Sequence, residues 1–132
     1  MSVQFIFDSR LNKGYLEGLY EGNIDYAFDL FEIYLTTLPS HMEDAWEIFH
    51  SEKYDEAKRY AHAIVNQPNF AMVGLSHLSE MAGALEELLI EEKITASQQK
   101  FALLYEAFHQ TLPIIQEEYL RMKDFLQQYS KP

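Results

Sequence analysis

The stretch NIDYAFDLFEIYLTTLPSHMEDAWEIFH, residues 23–50, decides the fold. Ala27, Leu30, Phe31, Tyr34, Leu38, Met42, Ala45, Trp46 and Phe49 recur at steps of three and four, which puts them on one helical face. Asn23 suits the N-cap, because its short side chain can accept from backbone N–H groups that a first turn leaves unpaired. Pro39 lacks an N–H and crowds the turn before it, yet the period continues past it, so it predicts a bend and no break. An amphipathic helix of this length must bury its apolar face against other elements, and the rest of the chain supplies them.

Upstream, the pattern predicts a short helix from about Ser9 to Tyr20, ended by Glu21-Gly22. Gly14, Gly18 and Gly22 recur every four residues on it, which is read as close packing; Lys13, Glu17 and Glu21 exclude a membrane dimer motif. Downstream, Ser51 is read as the N-cap of a third helix with the stripe Ala57, Tyr60, Ala61 and Ile64, stopped or kinked by Pro68. A fourth helix carries Ala71, Leu75, Leu78, Met81, Ala82, Leu85, Leu88 and Leu89. Thr95 with Gln98 reads as a capping box opening the last helix, whose stripe runs from Phe101 through Leu104, Tyr105, Phe108, Leu112, Ile115, Tyr119 and Met122 to Leu126. Sixteen Leu and eleven Ala against three Val, with five Gly and four Pro, favour helix throughout. The expected architecture is all-α: an antiparallel four-helix bundle with a short N-terminal covering helix, one domain over residues 1–132.

The balance of charge narrows function. Ten Lys and Arg against twenty-one Asp and Glu leave a net charge of −11, which disfavours binding to a phosphate backbone, so no nucleic-acid partner is expected. With no Cys there are no disulfides, thiolate metal sites or cysteine nucleophiles, in keeping with a reducing compartment. The first residues lack a basic n-region and a small-residue cleavage site, so secretion is not indicated and a cytoplasmic location is expected. The longest stretch without formal charge, Tyr60 to Ser79, includes two His, two Asn, a Gln, a Pro and two Ser, too polar for membrane insertion. In a chain so acidic elsewhere it is instead a candidate docking surface, expected to centre on His62, Val65, Asn66 and Asn69.

His62 carries the sharpest chemistry. At about 100° per residue its side chain points away from the Ala57, Tyr60, Ala61 and Ile64 stripe, toward solvent. Lys58 and Arg59 lie one turn before it, Val65 and Asn66 one turn after. An accessible imidazole beside cations is what a phosphoryl-accepting histidine needs; an ordinary surface histidine is the plainer reading of the same pattern.

From Leu19 to Glu86 the chain resembles a histidine-containing phosphotransfer (HPt) domain of two-component phosphorelays. Leu19-Tyr20-Glu21-Gly22-Asn23 is similar to that family's first turn, Phe31 to Pro39 to its long helix, and Ala61-His62-Ala63-Ile64 to its Ala-His-x-Leu. Gly74, Leu78, Met81, Ala82, Leu85 and Glu86 match its Gly and Leu-Glu pattern. The resemblance implies a four-helix bundle in which His62 accepts phosphate from a receiver-domain aspartate and passes it on. It implies receiver domains of response regulators or hybrid kinases as partners, and a carrier with no self-sufficient activity. It also implies no cofactor of the chain's own, magnesium coming from the receiver. Val65 and Asn66 stand where the family has Lys and Gly, and the span from His62 to Gly74 is longer than usual. A gap-free register backwards from Gly74 would place Ile64 at the phosphoacceptor position of an inactive, receiver-docking relative. His62 is preferred because Ile64 lies on the apolar stripe, and Lys58, Arg59, Asn66 and Gln67 are the residues left to hold the phosphoryl group.

A di-metal carboxylate bundle is the rival from another class, on Glu47-Ile48-Phe49-His50 and Glu106-Ala107-Phe108-His109, two Glu-x-x-His motifs. Both glutamates lie about 200° from core positions of their helices and so should point outward, where they cannot share a metal. His41, His77 and His109 read as surface or boundary residues, Trp46 with Phe49 as core, and Glu86-Glu87 and Glu91-Glu92 as solvated faces.

Overall fold

The computed structural model describes residues 3–66 and 69–129, except the side chains of residues 64–66. Described are α1 (Lys13–Tyr20), α2 (Ile24–His50), α3 (Tyr54–Asn66), the 3₁₀ turn η1 (Phe70–Val73), α4 (Ser76–Ile90) and α5 (Ile94–Tyr129), with no strand among them. α2, α3, α4 and α5 pack in a ring, each against the next, and α1 lies on α2 and η1. Short turns join α2 to α3 and α4 to α5, so both pairs run antiparallel. The all-helical bundle with a covering helix is the arrangement the apolar stripes require. No described helix is long and apolar enough to cross a membrane.

Phe31, Tyr34, Leu38 and Met42 of α2 meet Leu85 and Leu89 of α4 and Leu104, Phe108 and Ile115 of α5 in the core. Burying each such large side chain is worth about 1.5–3 kcal/mol relative to leaving it exposed. Among the described side chains of α3, Ala57 and Ala61 are the buried ones, and such small side chains let the helix sit close to α2 and α4. Tyr34 stands edge-on to Phe70, and Phe49 stacks on Phe101 at 4.4 Å.

The helix ends correct several expectations. α1 starts at Lys13, because Asn12 accepts from the N–H of Tyr15 and caps it, while residues 9–11 are held in a turn on Asp8. A Cβ at Gly14 or Gly18 would meet nothing within 4 Å, so neither glycine serves close packing; Gly22 takes φ 83 in the turn before Asn23, which does cap α2. Ser51 ends α2 rather than starting α3: its N–H reaches Glu47 O, Glu52 turns left-handed at φ 58, and the Lys53 N–H returns to Ile48 O. That closure leaves Lys53 as the residue whose carbonyl accepts the first N–H of α3, from Ala57. Glu91-Glu92-Lys93 repeats the same turn between α4 and α5, so Thr95 falls inside the first turn of α5. Gln98 then donates to the Tyr54 hydroxyl instead of closing a capping box.

Ala71 belongs to η1, because Gly74 at φ 84 breaks the chain before α4. The Gly74 carbonyl accepts from Asn12 N–H at 2.8 Å, an approach so close that a Cβ would lie 2.8 Å from Leu11 and Leu16. α2 and α5 run unbroken through Pro39 and Pro113, and in each the proline follows Thr-Leu. Thr37 and Thr111 donate to the carbonyls four residues back, Ile33 and Ala107. Ahead of α1, residues 5–8 strap across the C-terminal half of α5. Buried Glu118 accepts from Asp8 N–H and Arg121, and Arg121 also donates to Ile6 O and lies over the Phe5 ring.

Candidate functional site

α3 presents His62 one residue beyond buried Ala61, on the side away from the core, and its side chain is 72% exposed. Close packing through Ala57 and Ala61 brings α4 within reach, and Nδ1 of His62 lies 2.7 Å from Oε2 of Glu86. A carboxylate can only accept, so Nδ1 carries the proton, and in the neutral ring Nε2 keeps the lone pair. Glu86 is itself only 22% exposed, and its carboxylate meets the ring at its Nδ1 edge. Such an arrangement suits a nucleophilic Nε2, because it sets an anion where positive charge would grow on the ring once Nε2 bonded to an electrophile.

Glu86 is the residue that sequence reading missed as chemistry. The Glu86-Glu87 run reads as a solvated face, which is correct for Glu87 and, at the α4–α5 turn, for Glu91 and Glu92. The available signal was the adjacency of Glu86 to core Leu85, which puts it at the edge of the stripe and toward α3.

The other expected site residues divide. Arg59 is exposed one turn before His62, while Lys58 reaches to Glu92 at 3.8 Å, across to the turn that starts α5. The carboxamide oxygen of Asn69 accepts from Ala71 N–H at 3.0 Å and Met72 N–H at 3.3 Å, capping η1. Val65 and Asn66 occupy the last turn of α3; their side chains, that of Ile64, and residues Gln67 and Pro68 lie outside the described residues. Of the uncharged stretch, Phe70, Val73, Leu75 and Leu78 are core, and His62 and His77 are exposed.

Glu47 and Glu106 both face solvent, as their angular positions indicated. Among the described residues no three His, Asp or Glu side chains converge on a metal position, so the di-metal arrangement has no geometric support. Trp46 is not core. It is 39% exposed and stacks on His50 at 3.7 Å, because the stripe of α2 drifts toward the α5 edge at its C-terminal end. His41 is half-buried against Tyr60, and His109 lies 3.2 Å from Glu43, which also accepts from the Tyr105 hydroxyl.

Among protein families, the Hpt domain matches residues 29–129, from the second turn of α2 to the end of α5. No curated protein and no solved structure matches the chain.

Proposed function

Because the chain belongs to the Hpt family, the histidine phosphotransfer domains of phosphorelays, we propose that His62 is its phosphoacceptor and that Nε2 is the reacting atom. The observation that carries this reading is the exposed ring whose Nδ1–H is held by Glu86. Nε2 attacks the phosphorus of a receiver's aspartyl phosphate. A P–N bond forms, the P–O bond to the aspartate breaks, and the carboxylate leaves with its electron pair. Nδ1 keeps its proton, and the positive charge gained by the ring faces the Glu86 carboxylate. Transfer to a second receiver runs the same step in reverse, with the ring as leaving group. The magnesium ion that neutralises the moving phosphoryl group belongs to the receiver in this scheme.

Lys58, Arg59, Asn66 and Gln67 are the proposed phosphoryl-stabilising residues. Val65 and Asn69 join Asn66 in the uncharged centre of the docking surface, with Lys58 and Arg59 at its rim. Val65→Glu should weaken receiver binding by more than about 1 kcal/mol, since it would bury an unpaired carboxylate, whereas Glu91→Lys should not. Equal affinities by titration would move the docking surface elsewhere.

Incubation with a phosphorylated receiver should yield acid-labile, base-stable phosphate on the chain, and His62→Gln should abolish it. Label that persists in His62→Gln removes His62 from the chemistry. Receiver binding without label would assign the chain to docking alone, the outcome that Val65 and Asn66, in place of the family's Lys and Gly, would then explain.

A further inference from the structure

On the other side of the bundle, where α2 meets α5, a cleft of about 400 Å³ opens beside Trp46. Its walls are aromatic: Phe49 stacked on Phe101, Tyr105 tilted against both Phe101 and Trp46, and Trp46 exposed at 39%. Its polar rim is acceptor-rich. The Nδ1–H of His50 donates to Trp46 O at 2.8 Å, which leaves the lone pair on Nε2. Gln98 gives one of its two amide N–H groups to Tyr54 and keeps its carbonyl oxygen. Glu52 adds a carboxylate, and no Lys or Arg is among the lining residues.

The two helix turns of matching geometry show why Glu52 matters. Glu52 and Glu92 both take φ 58 immediately before a Lys and a new helix. Glu92 faces Lys58 at 3.8 Å; Glu52 has no ion pair among the described residues and lines the cleft instead. Aromatic faces attract cations through their electron-rich centres, and the carboxylate and ring-nitrogen acceptors call for N–H donors.

We infer that this cleft binds a planar organic cation carrying N–H donors, of the amidinium or guanidinium class. Phe49 and Phe101 are buried and cover each other, so the cation would lie at the cleft mouth against Trp46 and Tyr105 and donate to Glu52 and His50. The site is separate from His62, which stands on the α3–α4 side.

Trp46 is the single tryptophan, so its fluorescence reports this cleft in the full chain without a label. Titration with benzamidinium should change the emission saturably, binding at least about fivefold tighter than neutral benzamide, with benzoate binding weakest of the three. Glu52→Gln should reduce the preference for benzamidinium over benzamide to less than about twofold. His62→Gln should leave the titration unchanged. N-acetylarginine amide separates the sources of the cation: tighter binding than benzamidinium assigns the cleft to an arginine of a partner protein, and weaker binding to a small aromatic cation. Absence of a saturable change, equal binding of all three benzene derivatives, or a preference that survives Glu52→Gln would overturn the inference.

Discussion

The two long faces of the bundle each display histidine, and they hold it differently. On the α3–α4 face, His62 gives its Nδ1 proton to a carboxylate and keeps most of its ring in solvent. On the α2–α5 face, His50 gives the same proton to a backbone carbonyl and has one ring face covered by the Trp46 indole. His109 is turned the other way, with Nε2 on Glu43, so its lone pair falls on Nδ1, the nitrogen crowded by its own backbone. Exposure alone therefore does not distinguish a phosphoacceptor. The difference lies in which nitrogen is left with the lone pair, and in whether an anion stands ready for the charge that the ring would gain.

The largest effect tests that difference outright. His62→Gln should abolish transfer from a phosphorylated receiver, while His50→Gln and His109→Gln should retain label close to that of the unaltered chain. Comparable losses in all three would erase the distinction between the faces.

The corner where η1 meets α1 should be far less forgiving than the open α2–α5 cleft. Gly74→Ala should cost at least about 2 kcal/mol of unfolding free energy in denaturant titration, because it combines a left-handed backbone with overpacking against Leu11 and Leu16. Ala102→Gly, at an exposed cleft position within α5, should cost about 1 kcal/mol or less, the ordinary helix-propensity difference.

Glu86→Gln keeps the shape of the His62 partner and removes its charge. Losing a charge-assisted hydrogen bond of about 1.5 kcal/mol should slow transfer about tenfold with helical content unchanged. Glu43→Gln, which makes the equivalent change beneath His109, should leave the rate alone. A rate unaffected by Glu86→Gln would reduce Glu86 to a surface contact.

The smallest effect sits away from both faces, at the N-terminal strap. The Arg10 guanidinium bonded to Asp8 pulls that carboxyl from its ordinary value of 3.8 down to about 2. A carboxyl depressed on folding adds stability that is complete above its unfolded value and lost as pH falls through its folded one. The stability difference between the unaltered chain and Asp8→Asn should thus be constant above about pH 5 and shrink toward pH 2. A difference that grows on acidification would contradict the Asp8–Arg10 pairing.

Much of the bundle was legible because burial enforces periodicity. Phe31, Tyr34, Leu38 and Met42 in α2, and Phe101, Leu104, Phe108 and Ile115 in α5, are core residues as their spacing required. The helix ends were less legible. Glu52 and Glu92 take left-handed turns that glycine or asparagine usually signals, so Ser51 and Thr95 look like caps in the sequence although backbone closure onto Ile48 and Leu88 sets the start of the next helix. The exposed direction of His62 followed from angle alone. Its partner did not: Glu86 lies 24 residues away, and only the packing of α3 on α4 through alanines brings the two together. Buried Glu118 is hidden for the same reason, since nothing near it in sequence announces that the strap at Asp8 will cover it.

The most direct test of the account is the identity of the phosphorylated nitrogen. With the imidazole nitrogens enriched in nitrogen-15, the phosphorylated chain should show phosphorus coupled to Nε2 of His62, with Nδ1 still protonated and in contact with Glu86. Phosphorus coupled to Nδ1 of His62, or to any nitrogen of His50 or His109, would contradict it.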